Sequence, residues 1–410
     1  MSDENKNIEN KQEENQNRQE CNKIWWKNVG LKPAYSLIVF FVLVFLAIYY
    51  IYENNIFKFR HNVFIKGPKM HFYHNGPAVL MNDGNVLVIG GDTKQAEIYD
   101  YKKNKFVLTK GEMNYKRKYG ATATTLENGN ILITGGSYFI KNDKGQIKKE
   151  VVFDSAEIYN PQTQNFTPIS KMSFPRTRHI AIPIENGNVL IFDGQDKREK
   201  TVHEIEEFDI KTNTFKVINK INIDNLYWTH FVKIDTDKIL LIGYKDGTSS
   251  PPYKYLYDYS KNNILPFVPE KNIEVFEKHI YSTYMPLSAG TTYLTRKNKA
   301  IIVTRNKDKI LEISIVKNDN ADYTTNVVNG NKVLFIGGDN VQRWNGKRII
   351  PKSYFVDLNG NIVENINLKT PRFKHMSILL QNGNIIVLGG YGLNQGNTIK
   401  QLLSTEIYYK

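Results

Sequence analysis

One pattern of polar and apolar positions returns along most of the chain. Residues 81–91 read MNDGNVLVIGG, a polar turn followed by four aliphatic residues and two glycines. The same order returns, with small changes, at residues 126–136, 184–194, 329–338 and 380–390. Asn-Gly or Asp-Gly between two apolar runs is a strong hairpin signal, because such a turn needs a positive φ. Each copy therefore predicts a hairpin turn and a strand buried between neighbouring sheets.

Two further segments carry a weakened copy. Residues 238–243 keep the aliphatic run but have lost the Asn-Gly turn, and residues 299–304 have lost the glycines. The pair of glycines that ends the stronger copies predicts a close approach of two backbones at that point. Together with the five clear copies, these segments predict seven repeated units.

Two more strands follow within each unit. The third strand is predicted at residues 96–100, 156–160, 206–209, 256–258 and 405–408. A polar turn then leads to a fourth strand that opens with an aromatic residue, as at Phe106, Phe166 and Phe215. Four short antiparallel strands repeated about every fifty residues are typical of a propeller blade.

This combination of turn, aliphatic strand, paired glycines and aromatic fourth strand resembles the kelch repeat. The resemblance covers about residues 59–410 and is weak from about 259 to 320. Kelch repeats usually open the outer strand with Trp, where this chain has Phe106, Phe166 and Phe215. The resemblance implies an all-β fold, a kelch-type β-propeller of seven blades, or of six if the weak fifth unit is not a blade.

The two ends of the repeat region predict how the ring closes. The last repeat ends at Lys410, one strand short of a blade, while residues 62–67 parallel the fourth strand at residues 106–111. We therefore expect residues 62–67 to complete the last blade, because this pairing removes an exposed strand edge.

The region before the repeats divides into three segments. Residues 1–32 are polar and predict a disordered tail, because they carry too little apolar surface to offset the entropy of folding. Residues 33–52 contain no charge, which predicts one transmembrane helix. A cleaved signal peptide is the alternative, but the apolar run is long and no small-residue cleavage site follows it. Residues 53–58 are then a short stem, and residues 59–410 are the propeller.

The orientation of this helix is not decided by flanking charge. Three basic residues lie close on each side: Lys23, Lys27 and Lys32 before it, and Lys58, Arg60 and Lys66 after it. The only cysteine, Cys21, lies in the tail, so the cysteine-free propeller suits an oxidising compartment. We expect the tail in the cytoplasm and the propeller outside, in the cell envelope or at the surface. The reverse orientation, an intracellular scaffold, stays open.

The composition limits the classes of function. A chain of 410 residues with 41% hydrophobic and 23% charged residues can bury a core, which excludes disorder throughout. The net charge of +14 comes from 55 Lys+Arg against 41 Asp+Glu, and all of the excess lies after residue 52. Because this excess concentrates on predicted loops outside the cytoplasm, we expect anionic partners and no nucleic acid. A single cysteine excludes an internal disulfide and a CxxC site.

Some charged residues recur at one position of each unit. They are Glu97, Glu157, Glu206 and Glu406 on the third strand, His179 and His375 on the first strand, and Arg176, Arg178 and Arg372 close to these histidines. A residue that recurs at the same position of each unit usually has the same structural role in each unit. We therefore expect these residues to hydrogen-bond turns between blades, with the arginines as partners of the carboxylates.

We expect no metal and no cofactor. His71 and His74 are three apart, but such a pair converges on a helix, and this segment leads into a strand. No phosphate-binding loop and no Gly-x-Ser-x-Gly elbow is present. Kelch propellers include copper oxidases resembling galactose oxidase, which need a cysteine cross-linked to a tyrosine; the propeller region has no cysteine. They also include bacterial sialic-acid mutarotases, whose catalytic residues match no local motif here.

The predicted loops between second and third strands are long and basic. They span residues 137–154, 195–201, 245–254 and 339–352, and all leave one face of the propeller. Loops on a rigid scaffold often carry binding, and Arg and Trp often anchor interfaces. The candidate binding residues are Lys148, Lys149, Arg198, Arg343, Trp344, Lys347 and Arg348. The alternative is that these basic residues are ordinary solvated surface.

The sequence thus predicts a membrane-anchored, monomeric and non-enzymatic propeller that binds a protein or an anionic glycan through its loop face. The alternative is a carbohydrate-active enzyme of the cell envelope, such as a sugar isomerase or mutarotase, that works in the central channel. Carboxylates and arginines that converge on the channel with shifted pKa values would favour the enzyme.

Overall fold

The fold is described from a computed structural model of the chain. The described residues are 39–46, 62–222, 226–233, 236–245, 253–267, 292–296, 299–306, 309–316, 324–328, 332–338, 349, 352–357, 361–394 and 398–410. The chain divides into two compact units, Met1–His61 and Asn62–Lys410.

The first unit is described over one helix, residues 39–46. Among the described residues, no helix combines the length and the hydropathy needed to cross a membrane. The structure therefore gives no support to the transmembrane helix predicted over residues 33–52, of which it describes eight residues. The predicted tail and stem, residues 1–32 and 53–58, lie outside the described residues.

The second unit consists of short antiparallel sheets. It begins with strand β1 (Val63–Lys66). Sheet 1 contains β2 (Ala78–Leu80), β3 (Val86–Val88), β4 (Gln95–Asp100) and β5 (Lys105–Glu112). Sheet 2 contains β6 (Tyr119–Thr125), β7 (Ile131–Lys141), β8 (Ile147–Val152), β9 (Ala156–Asn160) and β10 (Asn165–Pro168). Sheet 3 contains β11 (Ile180–Pro183), β12 (Val189–Phe192), β13 (Glu204–Asp209) and β14 (Thr214–Lys220).

The later sheets repeat this plan. Sheet 4 contains β15 (Leu226–Lys233), β16 (Lys238–Lys245), β17 (Tyr253–Asp258) and β18 (Asn263–Pro266). Sheet 5 contains β19 (Thr292–Arg296), β20 (Lys299–Asn306) and β21 (Lys309–Val316). Sheet 6 contains β22 (Thr324–Val328), β23 (Lys332–Ile336), β24 (Lys352–Asp357) and β25 (Ile362–Asn367). Sheet 7 contains β26 (Met376–Leu379), β27 (Ile385–Leu388) and β30 (Thr405–Tyr409), with the hairpin β28 (Tyr391–Leu393) and β29 (Ile399–Gln401) between the last two.

The repeated aliphatic run is the second strand of every sheet. The five clear copies form β3, β7, β12, β23 and β27, and the two weak copies form β16 and β20. The predicted strands are therefore confirmed, including the copy that has lost its glycines. Sheet 5 is described over three strands, so the number of blades, seven or six, stays a prediction.

The Asp-Gly and Asn-Gly turns have the backbone that the sequence predicts. Gly84 has a φ of 86°, and the turn is closed by bonds from Met81 N to Asn85 O, 2.8 Å, and from Gly84 N to Met81 O, 3.0 Å. The corresponding glycines of the next two sheets and of sheet 7 have a φ of 83°. Glycine adopts this conformation without the strain that a Cβ would add.

The paired glycines lie where two backbones meet, as predicted. A Cβ on Gly90 would collide with the carbonyl oxygen of Arg117 and with the Cα of Gly76. A Cβ on Gly135 would collide with the carbonyl oxygen of Arg176. Because these glycines have no Cβ, the backbone connection that leads into the next sheet can pass close to them.

The apolar core lies between consecutive sheets. Val86 and Val88 of β3 share one buried cluster with Ile386 and Leu388 of β27, which joins sheet 1 to sheet 7. Corresponding clusters join sheet 1 to sheet 2, sheet 2 to sheet 3, sheet 3 to sheet 4, and sheet 6 to sheet 7. Because both faces of the second strands are covered, their side chains are aliphatic without alternation.

The predicted closure by the N-terminal segment is confirmed. Strand β1 pairs antiparallel with β30, in a register that sets Phe64 opposite Tyr408, and so completes sheet 7. Phe64 is buried, and its ring lies 5.6 Å from that of Tyr408. The Tyr408 hydroxyl donates to Asn62 Oδ1 at 2.7 Å. The two ends of the repeat region are therefore held in one sheet.

Candidate functional site

The sheets present different connections at their two edges. At one edge, Thr177 and Gln195 exchange backbone hydrogen bonds of 3.0 and 2.9 Å. These bonds join the connection into sheet 3 to the loop between its second and third strands. At the opposite edge, Tyr101 N donates to Asn85 Oδ1 at 3.3 Å, so two hairpin turns of sheet 1 lie together. We call the first edge the loop face and the second edge the turn face.

Sheets 1, 2, 3 and 7 each hold a buried ion pair just below the loop face. In sheet 2, Arg117 donates to Glu157 Oε1 through Nε at 2.9 Å and Nη2 at 2.8 Å, and neither side chain is exposed. The backbone N of Asn114 donates to the other oxygen of Glu157 at 2.7 Å. Arg117 Nη1 also donates to Gly135 O at 2.6 Å. We call this Arg–Glu pair with its backbone hydrogen bonds a clamp. It fixes the connection before β6 to strands β7 and β9 of the same sheet.

The clamp repeats in sheets 3 and 7. Arg176 Nη2 donates to Glu206 Oε1 at 2.6 Å, and Arg372 Nη2 donates to Glu406 Oε1 at 3.0 Å. Backbone amides of the preceding connection again donate to each carboxylate. The predicted structural role of these glutamates and of both arginines is therefore confirmed. Arg178 was expected to share it, and this expectation is wrong: its side chain is exposed and donates to Gln195 Oε1 at 3.0 Å.

Sheet 1 builds the clamp from histidines. His74 Nε2 lies 2.8 Å from Glu97 Oε1, and its Nδ1 lies 2.8 Å from Gly90 O. Both ring nitrogens of His74 thus face hydrogen-bond acceptors. His71 Nδ1 contacts Glu97 Oε2 at 2.6 Å. Burial alone would raise the pKa of the Glu97 carboxyl, but hydrogen bonds from His74, His71 and Phe72 lower it below its usual value.

The alternative of a carbohydrate-active enzyme requires carboxylates and arginines that are open to a substrate, so the surroundings of these clamps are relevant to it. Burial lowers the pKa of Arg117, Arg176 and Arg372, while the paired carboxylates oppose the shift. The four recurrent glutamates therefore pair with arginine or histidine inside single sheets, and these pairs are closed to solvent: Glu97 with His74, Glu157 with Arg117, Glu206 with Arg176 and Glu406 with Arg372. Over the part of the chain that the structure describes, no group of three or more His, Cys, Asp or Glu is placed to hold a metal ion.

Two recurrent histidines are buried as neutral groups. His179 Nε2 lies 2.7 Å from Thr134 Oγ1 and 3.1 Å from Thr122 Oγ1, which links sheets 2 and 3. Burial, together with Arg176 and Arg117, holds the pKa of His179 well below its ordinary value. Burial, together with Arg372, lowers the pKa of His375 to about 3. Both histidines are thus part of the packing of the first strands.

Acidification is expected to destabilise the second unit through these two histidines. Below the ordinary histidine pKa, near 6.5, the unfolded chain binds a proton that each folded histidine does not, so stability is lost as the pH falls through that value. From pH 7 to pH 5 the loss is about 2 kcal/mol for each histidine. Urea unfolding of the chain and of the His179→Gln/His375→Gln variant at both pH values measures the difference. Equal losses in the two proteins would contradict the assignment.

Two pairs of aromatic rings lie on the loop face, one in sheet 7 and one in sheet 2, and together we call them the aromatic cluster. The rings of Phe373 and Tyr391 lie 5.6 Å apart, and those of Tyr119 and Phe139 lie 5.4 Å apart. Asn75 of sheet 1 donates to the Tyr391 hydroxyl at 3.1 Å. Burial raises the pKa of Tyr119, Lys118 opposes this shift, and Tyr391 adds to it. All four rings are partly exposed.

An ion pair lies beside this cluster. Lys118 Nζ contacts Asp92 Oδ2 at 2.6 Å and lies 5.5 Å from the centre of the Tyr119 ring. Asp92 belongs to the loop after β3 and Lys118 to the connection before β6, so the pair bridges sheets 1 and 2. The loop face thus combines exposed aromatic surface with fixed charges of both signs.

The structure places three of the candidate binding residues. Lys148 and Lys149 are exposed on β8, which extends sheet 2 beyond the loop face. Arg198 is exposed in the loop after β12, in the turn that Asp196 closes by accepting from Arg198 N at 2.7 Å. The two sites belong to different sheets. Arg343, Trp344, Lys347 and Arg348 lie outside the described residues.

Sequence reasoning missed Arg117 and most of the aromatic cluster. Arg117 could have been found, because it follows Met113 by the same four residues that separate Arg176 from Met172 and His74 from Met70. For Tyr391 and Asn75 no sequence signal was available, since they are 316 positions apart and meet through closure of the repeat region.

No protein-family model matches the chain. Kelch-like protein 38 of Danio rerio is 29% identical over 110 residues, which cover 26% of this chain and 17% of the relative. The match thus spans less than a fifth of that protein's length.

Two solved structures resemble the chain. One is a fungal alcohol oxidase of the AA5 family in complex with copper, with a TM-score of 0.60 and 14% identity over 85% of this chain and 76% of the oxidase. The other is YjhT, with a TM-score of 0.46 and 13% identity over 82% of this chain and 99% of YjhT. The likeness to the oxidase concerns the fold alone. The repeated strands, the closure by β1 and the likeness to the oxidase show that the second unit has a β-propeller fold, and its repeats are similar to those of a kelch-like protein.

Proposed function

We propose that this propeller is a non-enzymatic binding module that receives a protein partner on its loop face. The observation that carries the proposal is the aromatic cluster of Tyr119, Phe139, Phe373 and Tyr391, which is partly exposed and belongs to segments from different sheets. Aromatic side chains held on a rigid scaffold supply much contact area at little entropic cost, as at interface hot spots.

The charges around the cluster support the same use. Asp92 and Lys118 hold each other beside Tyr119, and Lys116 lies 5.6 Å from the centre of the Tyr138 ring. Aromatic surface bordered by fixed charges is typical of a protein interface, with an apolar centre and a polar rim. An anionic glycan is the other partner that the basic residues of this face would suit.

The proposal includes attachment to a membrane through residues 33–52, with the propeller outside the cytoplasm. Its support is the uncharged, apolar run in the sequence. Protease added to intact cells should then remove the propeller while the tail stays protected. Protection of the propeller would contradict this orientation.

Truncating the aromatic cluster is expected to abolish partner binding. In the full chain, Phe139→Ala/Tyr391→Ala should weaken capture of the partner by about tenfold or more, because hot-spot aromatics supply most of the binding energy. The matched control is Val217→Ala/Leu265→Ala, which truncates two exposed side chains on fourth strands. Quantitative co-purification from the producing cells, with melting curves for each protein, measures the effect.

The control separates binding from folding. If both double variants melt like the natural chain and only the cluster variant loses the partner, the loop face is the binding surface. Equal capture by the cluster variant and the control would refute the proposal. Retention of the chain on anionic glycans, with no protein captured, would replace the protein partner with a glycan.

A further inference from the structure

A two-stranded ribbon projects from sheet 2 on the loop face. Strand β7 pairs with β6 up to Ser137 and with β9 up to Thr134, and its last five residues, from Ser137 to Lys141, pair with β8. Asn142 closes the tip, accepting from Gln146 N at 2.8 Å through its side chain. The ribbon, residues 137–152, is therefore an ordered hairpin.

The base of the ribbon is fixed to the loop face. Phe139 packs on Tyr119, with 5.4 Å between ring centres, and Lys116 lies over the Tyr138 ring at 5.6 Å. Phe153, just beyond the ribbon, packs on Tyr115 at 5.1 Å. These contacts fix the orientation of the ribbon on the loop face, so β8 is already ordered before a partner binds.

The outer edge of β8 is open. Among the described strands, β8 pairs with β7 and with no other. An edge strand presents a row of backbone N–H and C=O groups that can pair with another chain. Two aliphatic side chains of the ribbon are also exposed, Ile147 of β8 at 60% and Ile140 of β7 at 43%. The ribbon therefore offers both backbone pairing and apolar contact.

The charge of the ribbon selects what can pair with it. Near the tip, Lys141, Lys144, Lys148 and Lys149 outnumber Asp143 and Glu150. All four lysines are exposed, and within the described residues none lies in an ion pair. Lysines on an edge disfavour pairing with a second copy of the same strand, because like charges would oppose each other. They favour a strand that carries carboxylates.

We infer that the ribbon binds an extended acidic segment of a protein partner as an added strand along β8. This inference rests on the proposed function and specifies its partner. Backbone hydrogen bonds to the open edge supply affinity, and the adjacent Lys148 and Lys149 favour a segment that carries glutamate or aspartate. The isoleucines contact the apolar side chains between them.

The probe is a short fluorescein-labelled peptide of alternating glutamate and valine, titrated into the full chain with fluorescence anisotropy as the readout. The chain should bind this peptide about tenfold or more tightly than a lysine–valine peptide, and Lys148→Glu/Lys149→Glu should reverse the preference. A peptide with prolines at alternate positions should not bind, since proline cannot donate to the edge. Amides of β8 should become protected from hydrogen exchange.

The matched control is Lys105→Glu/Lys211→Glu, which makes the same change of charge at exposed residues beside hairpin turns on the turn face. Its binding should equal that of the natural chain. Equal binding of the proline-containing peptide, or an equal loss in both double variants, would overturn the inference. Binding to phosphatidylserine vesicles in place of the peptide would overturn it in favour of a lipid surface. If the partner is still captured in any of these cases, the proposed function stands and only the added strand fails.

Discussion

Replacing Arg176 with methionine is expected to lower the free energy of unfolding by about 3–5 kcal/mol. After the substitution, the buried Glu206 carboxylate keeps the hydrogen bond from the backbone N of Ser173, at 2.6 Å, and loses the ion pair with Arg176. An unpaired buried charge costs far more than the net gain from the pair, so the large effect comes from the isolated carboxylate. Urea unfolding at neutral pH measures the difference.

Arg178→Met is the matched control for this prediction. Arg178 is two residues further along the same connection, is exposed, and donates one hydrogen bond to Gln195. Its replacement should change stability by about 0.5 kcal/mol or less. Adding Glu206→Gln to Arg176→Met should recover part of the loss by removing the buried charge. If Arg176→Met costs no more than Arg178→Met, the clamp does not stabilise the propeller as described.

Loss of the N-terminal strand is expected to have a similar effect. Phe64→Ala should cost about 3–5 kcal/mol, because the ring is buried in the cluster that joins sheets 6 and 7. Deletion of residues 62–67 should lower the melting temperature further, since it also removes the backbone pairing of β1 with β30. Differential scanning calorimetry of both variants measures these losses.

The control for the strand is Lys66→Ala, because Lys66 lies in the same strand with an exposed side chain. It should melt close to the natural chain. The deletion variant should also aggregate more readily, because it leaves β30 as an exposed edge. A deletion variant with an unchanged transition would show that β1 does not close the propeller.

Much of the fold could be predicted because each unit is encoded locally. The turn at Gly84, the strand that follows it and the glycines after that strand are adjacent in sequence, so periodicity and turn chemistry are enough. The closing strand was also predictable, since residues 62–67 repeat the pattern of residues 106–111 where the last unit lacks a strand. The structural role of the recurrent glutamates followed from their recurrence.

The candidate site was less predictable because its contacts are not local. The aromatic cluster depends on the meeting of sheets 7, 1 and 2, and no local pattern marks Tyr391 or Phe373 as neighbours of Asn75. Arg178 was assigned to the clamp because it lies on the predicted first strand with Arg176, but the backbone turns there with a φ of 59° and directs it away from the carboxylate. The basic composition of the loops could not show that Lys149 lies on the ribbon of sheet 2 while Arg198 lies on a loop of sheet 3.

The proposed function is tested most directly by site-specific photo-crosslinking in the cells that produce the protein. A photoreactive residue placed at Tyr73 or Lys374, both exposed on the loop face, should form adducts with a protein partner. The same residue at Lys105 or Lys211, beside hairpin turns on the turn face, should form none. Adducts from the turn face that equal those from the loop face, or no protein adduct from the loop face, would contradict the proposed function.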